Sequence, residues 1–366
     1  MQEASLESFK RELDEIKEYI NHIGLIDKIE REGRVNRKNL SGKNKTRDYK
    51  KKNKALIEFS AHLNEIRIAK KTFEYKSIII SLYGVIERYI GFWLREHISN
   101  LPEIVPNYSS FSNKFRENHF SLSIKLMTLI SEGRFSMNED LRKEDVLVRL
   151  NNCLHHTDDG DYELNSDAFL PQSGNLKHSK IVEAFRSLEI ELNTNLKDDY
   201  DFSMLLKEKF GEKFTQKGEG VYRLIDELVD RRNVIAHGGQ VDEILNATEF
   251  DEYFEFIDSY GNAIFSVLEK TENKFEAEHK FKKIENIVKI INSKICCFEI
   301  ENSEIEVGDY IIINTNKSFV KKEIRTIQLE GKDYNHLKIR EKCNIGIEID
   351  GGLKDNRDVY RLDRPF

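Results

Sequence analysis

A chain of 366 residues, 39% hydrophobic and 34% charged, with a formal net charge of -7, is long enough for two or three domains and too apolar for a disordered polymer. The acidic balance excludes a general nucleic-acid coat protein but leaves room for local basic sites. No apolar run approaches the roughly 20 residues that span a bilayer, and the Glu- and Lys-rich start carries no apolar signal core. The expectation is a soluble, cytoplasmic protein without membrane contact. Cys153, Cys296, Cys297 and Cys343 fit no zinc-ligand spacing, so neither a metal nor a cofactor is expected.

Residues 6–26 read as a charged amphipathic helix. Residues 28–54 follow as a strongly basic stretch broken by Gly33, Asn39, Ser41, Gly42 and Asn44, which reads as a charged linker. Within it Lys50, Lys51 and Lys52 are candidate contacts to RNA phosphates. Helical periodicity predicts helices over 55–72 and 76–98, and Pro102 and Pro106 then break the chain. Further helices are predicted over 121–131, 143–155, 179–193, 220–237 and 247–270, with a charged helix over 275–291 closing the domain. Near Ile295 the period changes to two. Strands over 310–314, 324–329 and 345–349, each bounded by Gly- and Asp-containing turns, predict a small all-β barrel. The fold class is therefore multi-domain and mainly α. It comprises an N-terminal helix and basic linker over 1–54, a helical domain over 55–293 and a small β-barrel over 294–366.

The stretch 221–239 carries the chemistry. Leu224, Ile225, Leu228 and Ile235 form one apolar helical face. Arg232 falls on that face, where a guanidinium needs a partner. Gly238 and Gly239 stop the helix. Asn233 and His237 are four apart and share a side, whereas Arg232 and His237 are five apart and diverge by roughly 140°. One helix aims that pair poorly at a single atom. Two copies around a two-fold axis place both pairs in one cleft. His transfers protons near neutral pH, Arg holds phosphate oxygens with a fixed fork, and a helix C-terminus favours positive charge, which suits a general acid.

The run Arg232, Asn233, Val234, Ile235, Ala236, His237 resembles the motif of HEPN ribonucleases: Arg, a polar residue, a short spacer and His. The resemblance implies a helical HEPN-type bundle that dimerises and builds an RNA-cleaving site at the dimer cleft without a metal. The products it implies carry a 2′,3′-cyclic phosphate and a 5′-hydroxyl. It implies catalytic roles for Arg232, Asn233 and His237, and a role in toxin–antitoxin or anti-phage defence with an antitoxin or defence-system partner. Glu87, the charge on the row formed by Tyr83, Ile90 and Leu94, resembles the family's acidic residue and is expected to pair with Arg232. Ser77, Ser81, Gly84, Arg88, Gly91 and Arg95 form a small and polar stripe that permits close helix approach. A second formal match runs from Arg149 to His155 and His156, but Leu150 stands where the family has a polar residue. These two histidines are carried as candidate RNA contacts.

The order of strands and turns over the last 65 or so residues resembles the β-barrel second domain of translation GTPases, which implies contact with tRNA or ribosomal RNA. The chain has no P-loop, so GTPase activity is not implied. The leading expectation is a homodimeric endoribonuclease acting on RNA, with tRNA as a candidate substrate. The alternative is a non-catalytic RNA-binding or adaptor protein on a HEPN scaffold.

Overall fold

The computed structural model describes residues 3–40, 54–135, 140–155, 162–171, 175–241, 243–362 and 364. Lys50, Lys51, Lys52 and His156 lie outside the described residues. The helical part is built on α1 (Glu3–Leu40) and α2 (Lys54–Ile104), whose contacts run in opposite directions along the two helices. Trp93 Nε1 donates to Ser5 Oγ, Arg88 and Tyr89 hold Glu12, and Lys70 bridges Glu30 and Asp27. Phe9 packs edge-on against Tyr89 and Trp93.

These contacts explain two corrections. The first helix does not stop near 26 but continues through 28–40, because α2 holds it from the side and Gly33 alone does not break a helix so supported. Nor is it a unit apart from the following domain, since Phe9 and Leu13 belong to the same core as Trp93 and Leu94. The helices expected over 55–72 and 76–98 are one, because nothing at Phe73, Glu74 and Tyr75 opposes helix and the Lys70–Glu74 pair spans the join. Pro102 sits inside the last turn, two residues before the end.

By length and composition Glu65–Ile104 is long and apolar enough to cross a membrane, a property the sequence reading passed over. More than half of that apolar window is buried, against α1, α8 (Arg223–Ala236) and α9 (Ala247–His279). Between α2 and α8 come α3 (Asn113–Ser131), α4 (Lys143–His155), α5 (His178–Ser187), α6 (Leu192–Asp198) and α7 (Tyr200–Phe210). The start of α3 is set by Ser112, which accepts from the Phe115 amide. A single helix over 179–193 is replaced by α5 and α6, because the chain turns through Glu189 at φ 63°. Sequence periodicity missed α7. Before α8, a 3₁₀ segment occupies Phe214–Tyr222 in place of the predicted α-helical start at 220. A reciprocal capping box of Asn246 and Glu249 opens α9.

A helix over 275–291 does not form. After α9 the chain enters β1 (Phe281–Lys283) and β2 (Ile287–Ile291), so β structure begins ahead of residue 294. β1 is held by a partner distant in sequence, β11 (Val359–Leu362), and β2 by the next strand in the chain, β3 (Ile295–Ile300), and strand pairing overrides local helical preference. The remaining strands are β4 (Ser303–Glu306), β5 (Tyr310–Asn314), β6 (Phe319–Glu323), β7 (Thr326–Leu329), β8 (Lys332–Tyr334), β9 (His336–Ile339) and β10 (Cys343–Glu348). They form antiparallel sheets in the orders β1-β11-β5-β6, β2-β3-β10-β7-β8 and β4-β9. Ile311, Ile313, Phe298, Ile327, Ile345, Ile347 and Leu353 fill the core between them. One residue separates α9 from β1, and β6 lies against α9. Asn273 donates to the Phe319 carbonyl at 3.2 Å and Lys321 meets Glu276 at 2.6 Å.

Candidate active site

Helix α8 presents Ile225, Leu228 and Val229 to the core, with Leu224 and Ile235 partly buried beside them. Its C-terminus is a Schellman motif. The Gly238 amide donates to the Ile235 carbonyl and the Gly239 amide to the Val234 carbonyl, at 3.1 and 2.8 Å. Gly238 holds φ +72°, and a Cβ on Gly239 would stand 2.9 Å from the Val234 carbonyl oxygen. Both glycines therefore have local reasons to be glycine, and together they end the helix at His237. That histidine is exposed, and its amide donates to the Asn233 carbonyl at 3.0 Å.

Arg232 lies half-buried with its guanidinium 4.7 Å from the centroid of the Tyr83 ring. Its Nη1 donates to Asn233 Oδ1 at 3.1 Å. The Tyr83 hydroxyl donates to Glu87 Oε1 at 2.8 Å and accepts from the Leu176 amide at 3.4 Å. Thus Glu87 is linked to the arginine through Tyr83, a residue that sequence reading placed on the same row without assigning it a role. Burial, followed by the hydrogen bond and charge of Glu87, raises the Tyr83 phenol above its usual range, against the opposing pull of Arg232. The phenol is therefore a donor to Glu87 throughout the neutral range.

Arg231 is the arginine that ties α8 into the protein. It donates to Glu227 Oε1 at 2.8 Å and to the Tyr75 hydroxyl at 2.9 Å, and it pairs with Glu243 at 3.2 Å. Burial pulls this guanidinium down, but the bonds to Glu227 and Tyr75 outweigh it and hold it more basic than usual. The sequence signal for Arg231 is the Glu227 four residues before it. Four successive residues after 174 also reach the site. Asn175 Oδ1 accepts from Asn233 Nδ2 at 3.5 Å, the Leu176 amide meets Tyr83, Lys177 pairs with Asp230 at 2.7 Å, and the His178 amide donates to Asp226 at 2.8 Å.

The second motif diverges from this arrangement. Arg149 pairs with Glu163 at 2.9 Å, and His155 is exposed at the end of α4. His119 and His178 are structural. His119 stacks on Phe169, bonds to the Tyr108 hydroxyl and accepts from the Asn165 amide, while burial lowers its pKa to about 4. His178 stacks on Tyr222 and bridges the Tyr260 hydroxyl and Asn193.

The helical domain thus sets Arg232 and Asn233 beside Tyr83, carries His237 exposed at the end of the same helix, and is followed by a small β domain. The family model described as RiboL-PSP-HEPN matches residues 47–270, more than half of the chain. The chain belongs to that family, and membership accords with an RNA-related role. No curated protein matches it.

Proposed function

We propose that the protein is a homodimeric endoribonuclease that cleaves RNA by attack of the substrate's own 2′-hydroxyl. The observation that carries this reading is the grouping of Arg232, Asn233 and His237 at one exposed, glycine-terminated helix end in a HEPN-family chain. In the reaction a bond forms from O2′ to phosphorus and the bond to O5′ breaks. The products are a 2′,3′-cyclic phosphate and a 5′-hydroxyl. Arg232 binds the non-bridging oxygens as charge builds on them, and Asn233 helps to hold the phosphate or the imidazole. His237 protonates the leaving oxygen, and a second imidazole from the other copy takes the 2′ proton. With Arg232 supplying the positive charge, the steps call for no metal.

Dimerisation is supported by an exposed stripe along α2. Phe73 and Ile80 are 69% and 48% exposed, and a Cβ on Gly84 or Gly91 would touch nothing within 4 Å. Phe73, Ser77, Ile80 and Gly84 follow one another at spacings of four, three and four, and Gly91 lies seven residues further on, on the face that leads to Glu87. Val234, 45% exposed, lies on α8 between Asn233 and Ile235. A second copy packed along this face brings two helix ends into one cleft. The β domain, by its resemblance to the second domain of translation GTPases, is the part assigned to choosing RNA. A toxin or anti-phage effector fits such a nuclease, and expression should then arrest growth for the wild type and not for Arg232→Ala. The biochemical test is cleavage of total cellular RNA in EDTA with end-group analysis. Cyclic phosphate ends from the wild type only support the reading. RNA binding without cleavage by the folded dimer supports the adaptor alternative.

A further inference from the structure

The helical domain and the β domain leave a cleft of about 890 Å³ between them. It is lined by the end of α9, the turn between α5 and α6, the start of α3 and the β5–β6 hairpin. That volume falls within the roughly 300–1,000 Å³ of small-ligand sites. Half-buried rings reach it from both domains: Phe275 and His279 of α9, stacked at 17° and 6.4 Å, and Phe319 of β6. Lys270 and Lys274 line the helical side and Lys317 the β side, and Glu189, Glu191 and Glu278 balance their charge. Two left-handed residues lie on opposite walls, Glu189 at φ 63° and Asn316 at φ 68°. Ser112 Oγ donates to the Glu189 carboxylate, and Asn314 Oδ1 accepts from the Asn316 amide at 3.0 Å. Such backbone is held against its steric cost by its surroundings, and it collects at ligand sites. The walls are tied together by Lys317 with Asp198 at 2.7 Å, Lys321 with Glu276 and Asn273 with the Phe319 carbonyl, so the cleft is preformed.

We propose that this cleft holds one unpaired nucleotide of an RNA chain, at a site that shares no residue with the α8 end. The choice of an RNA chain as the source rests on the ribonuclease reading, whereas the nucleotide chemistry rests on the cleft itself. A flat base stacks on aromatic rings whatever its sequence, and rings are offered here from two walls. Lysine ammoniums from both domains suit the phosphate. The carboxylates and the side-chain amides of Asn195 and Asn314 suit base edges and ribose hydroxyls. Three lysines against three glutamates fit a single phosphate, since a polyphosphate calls for a net positive site. The same charged lining is a poor match for the apolar face of a partner helix. A nucleotide in this place touches both domains at once, which gives the β domain a direct part in holding RNA.

The test uses the full-length His237→Ala protein, which should hold RNA without cutting it, and a single-stranded RNA of mixed sequence carrying 4-thiouridine. Photo-cross-links mapped by mass spectrometry should fall on the end of α9 and the start of β6, at His279 and Phe319 above all. In direct binding, Phe319→Ala should weaken affinity about tenfold, the scale of one lost base stack. Lys274→Glu, at an exposed position, should weaken it by a similar factor and flatten its salt dependence. Thermal melting identifies a Phe319→Ala protein that has failed to fold, in which case Lys274→Glu carries the test. Cross-links confined to other parts of the chain, or wild-type affinity in the folded variants, overturn the proposal. Free 5′-mononucleotides form the second arm and should compete poorly with the oligomer. A mononucleotide that binds the cleft while the oligomer leaves no cross-link there overturns the assignment to an RNA chain. Cleft cross-links in a protein whose wild type cleaves no RNA sink the ribonuclease reading and leave this site standing.

Discussion

Lowering the pH should weaken the helical core through His119, and the size of the effect follows from its surroundings. The ring is fully buried, its Nε2 accepts from the Asn165 amide, and its Nδ1 faces the Tyr108 hydroxyl. Both contacts suit the neutral imidazole. Burial lowers the pKa from 6.5 to about 4, so between those values the unfolded chain binds a proton that the folded chain rejects. Stability therefore rises with pH across this window and falls as pH drops from about 6.5 to about 4. A difference of about 2.5 units corresponds to about 3 kcal/mol, a large share of the 5–15 kcal/mol typical of a domain. Trp93 is the single tryptophan of the chain and lies in the same core, so its fluorescence during urea unfolding reports on this domain. His119→Gln keeps a donor and an acceptor but does not titrate. The wild type should lose about 3 kcal/mol more than His119→Gln between about pH 7 and about pH 4. Parallel losses in the two proteins would refute the assignment of His119 as an acid-sensitive buried imidazole.

Four other outcomes are expected. Gly239→Ala should cost about 1–3 kcal/mol and misplace His237, because its Cβ meets the Val234 carbonyl at 2.9 Å, and urea unfolding with a cleavage assay reads both effects. Arg231→Ala leaves Glu227 and the Tyr75 hydroxyl without their partner, and should destabilise the helical domain by about 2–4 kcal/mol in the same unfolding assay. Gly84→Leu should leave the monomer folded, since the added side chain enters open space, yet shift sedimentation from dimer to monomer if the α2 stripe is the interface. Lys321→Ala should loosen the β domain from α9, detected as faster proteolysis near residue 280, with little change in the melting of either core.

Local signals made much of the fold legible. The α8 stop is written in Gly238 and Gly239, α4 in its own period, β5 in a short apolar run bounded by a turn, and β10 in alternating apolar residues. Where the reading failed, contacts from far along the chain decided. Residues 28–40 are helical because Lys70 and its neighbours hold that side of α1, and Phe281–Lys283 is a strand because β11 is beside it. The site divides in the same way. Arg232, Asn233 and His237 could be picked out because they are a compact motif on one helix. Tyr83 touches Leu176 across 93 residues, and no periodic pattern marks that meeting. Arg231 and Arg232 are neighbours of one type, and only the packing of Tyr75 and Glu227 separates the anchoring arginine from the one beside Tyr83.

The most direct test of the central claim is incubation of total cellular RNA with purified protein in EDTA, wild type against His237→Ala, followed by analysis of the product ends. The account predicts fragments with 2′,3′-cyclic phosphate and 5′-hydroxyl ends from the wild type and intact RNA with a folded His237→Ala protein. Cleavage by both proteins alike, or cleavage that leaves 5′-phosphate ends, would contradict it.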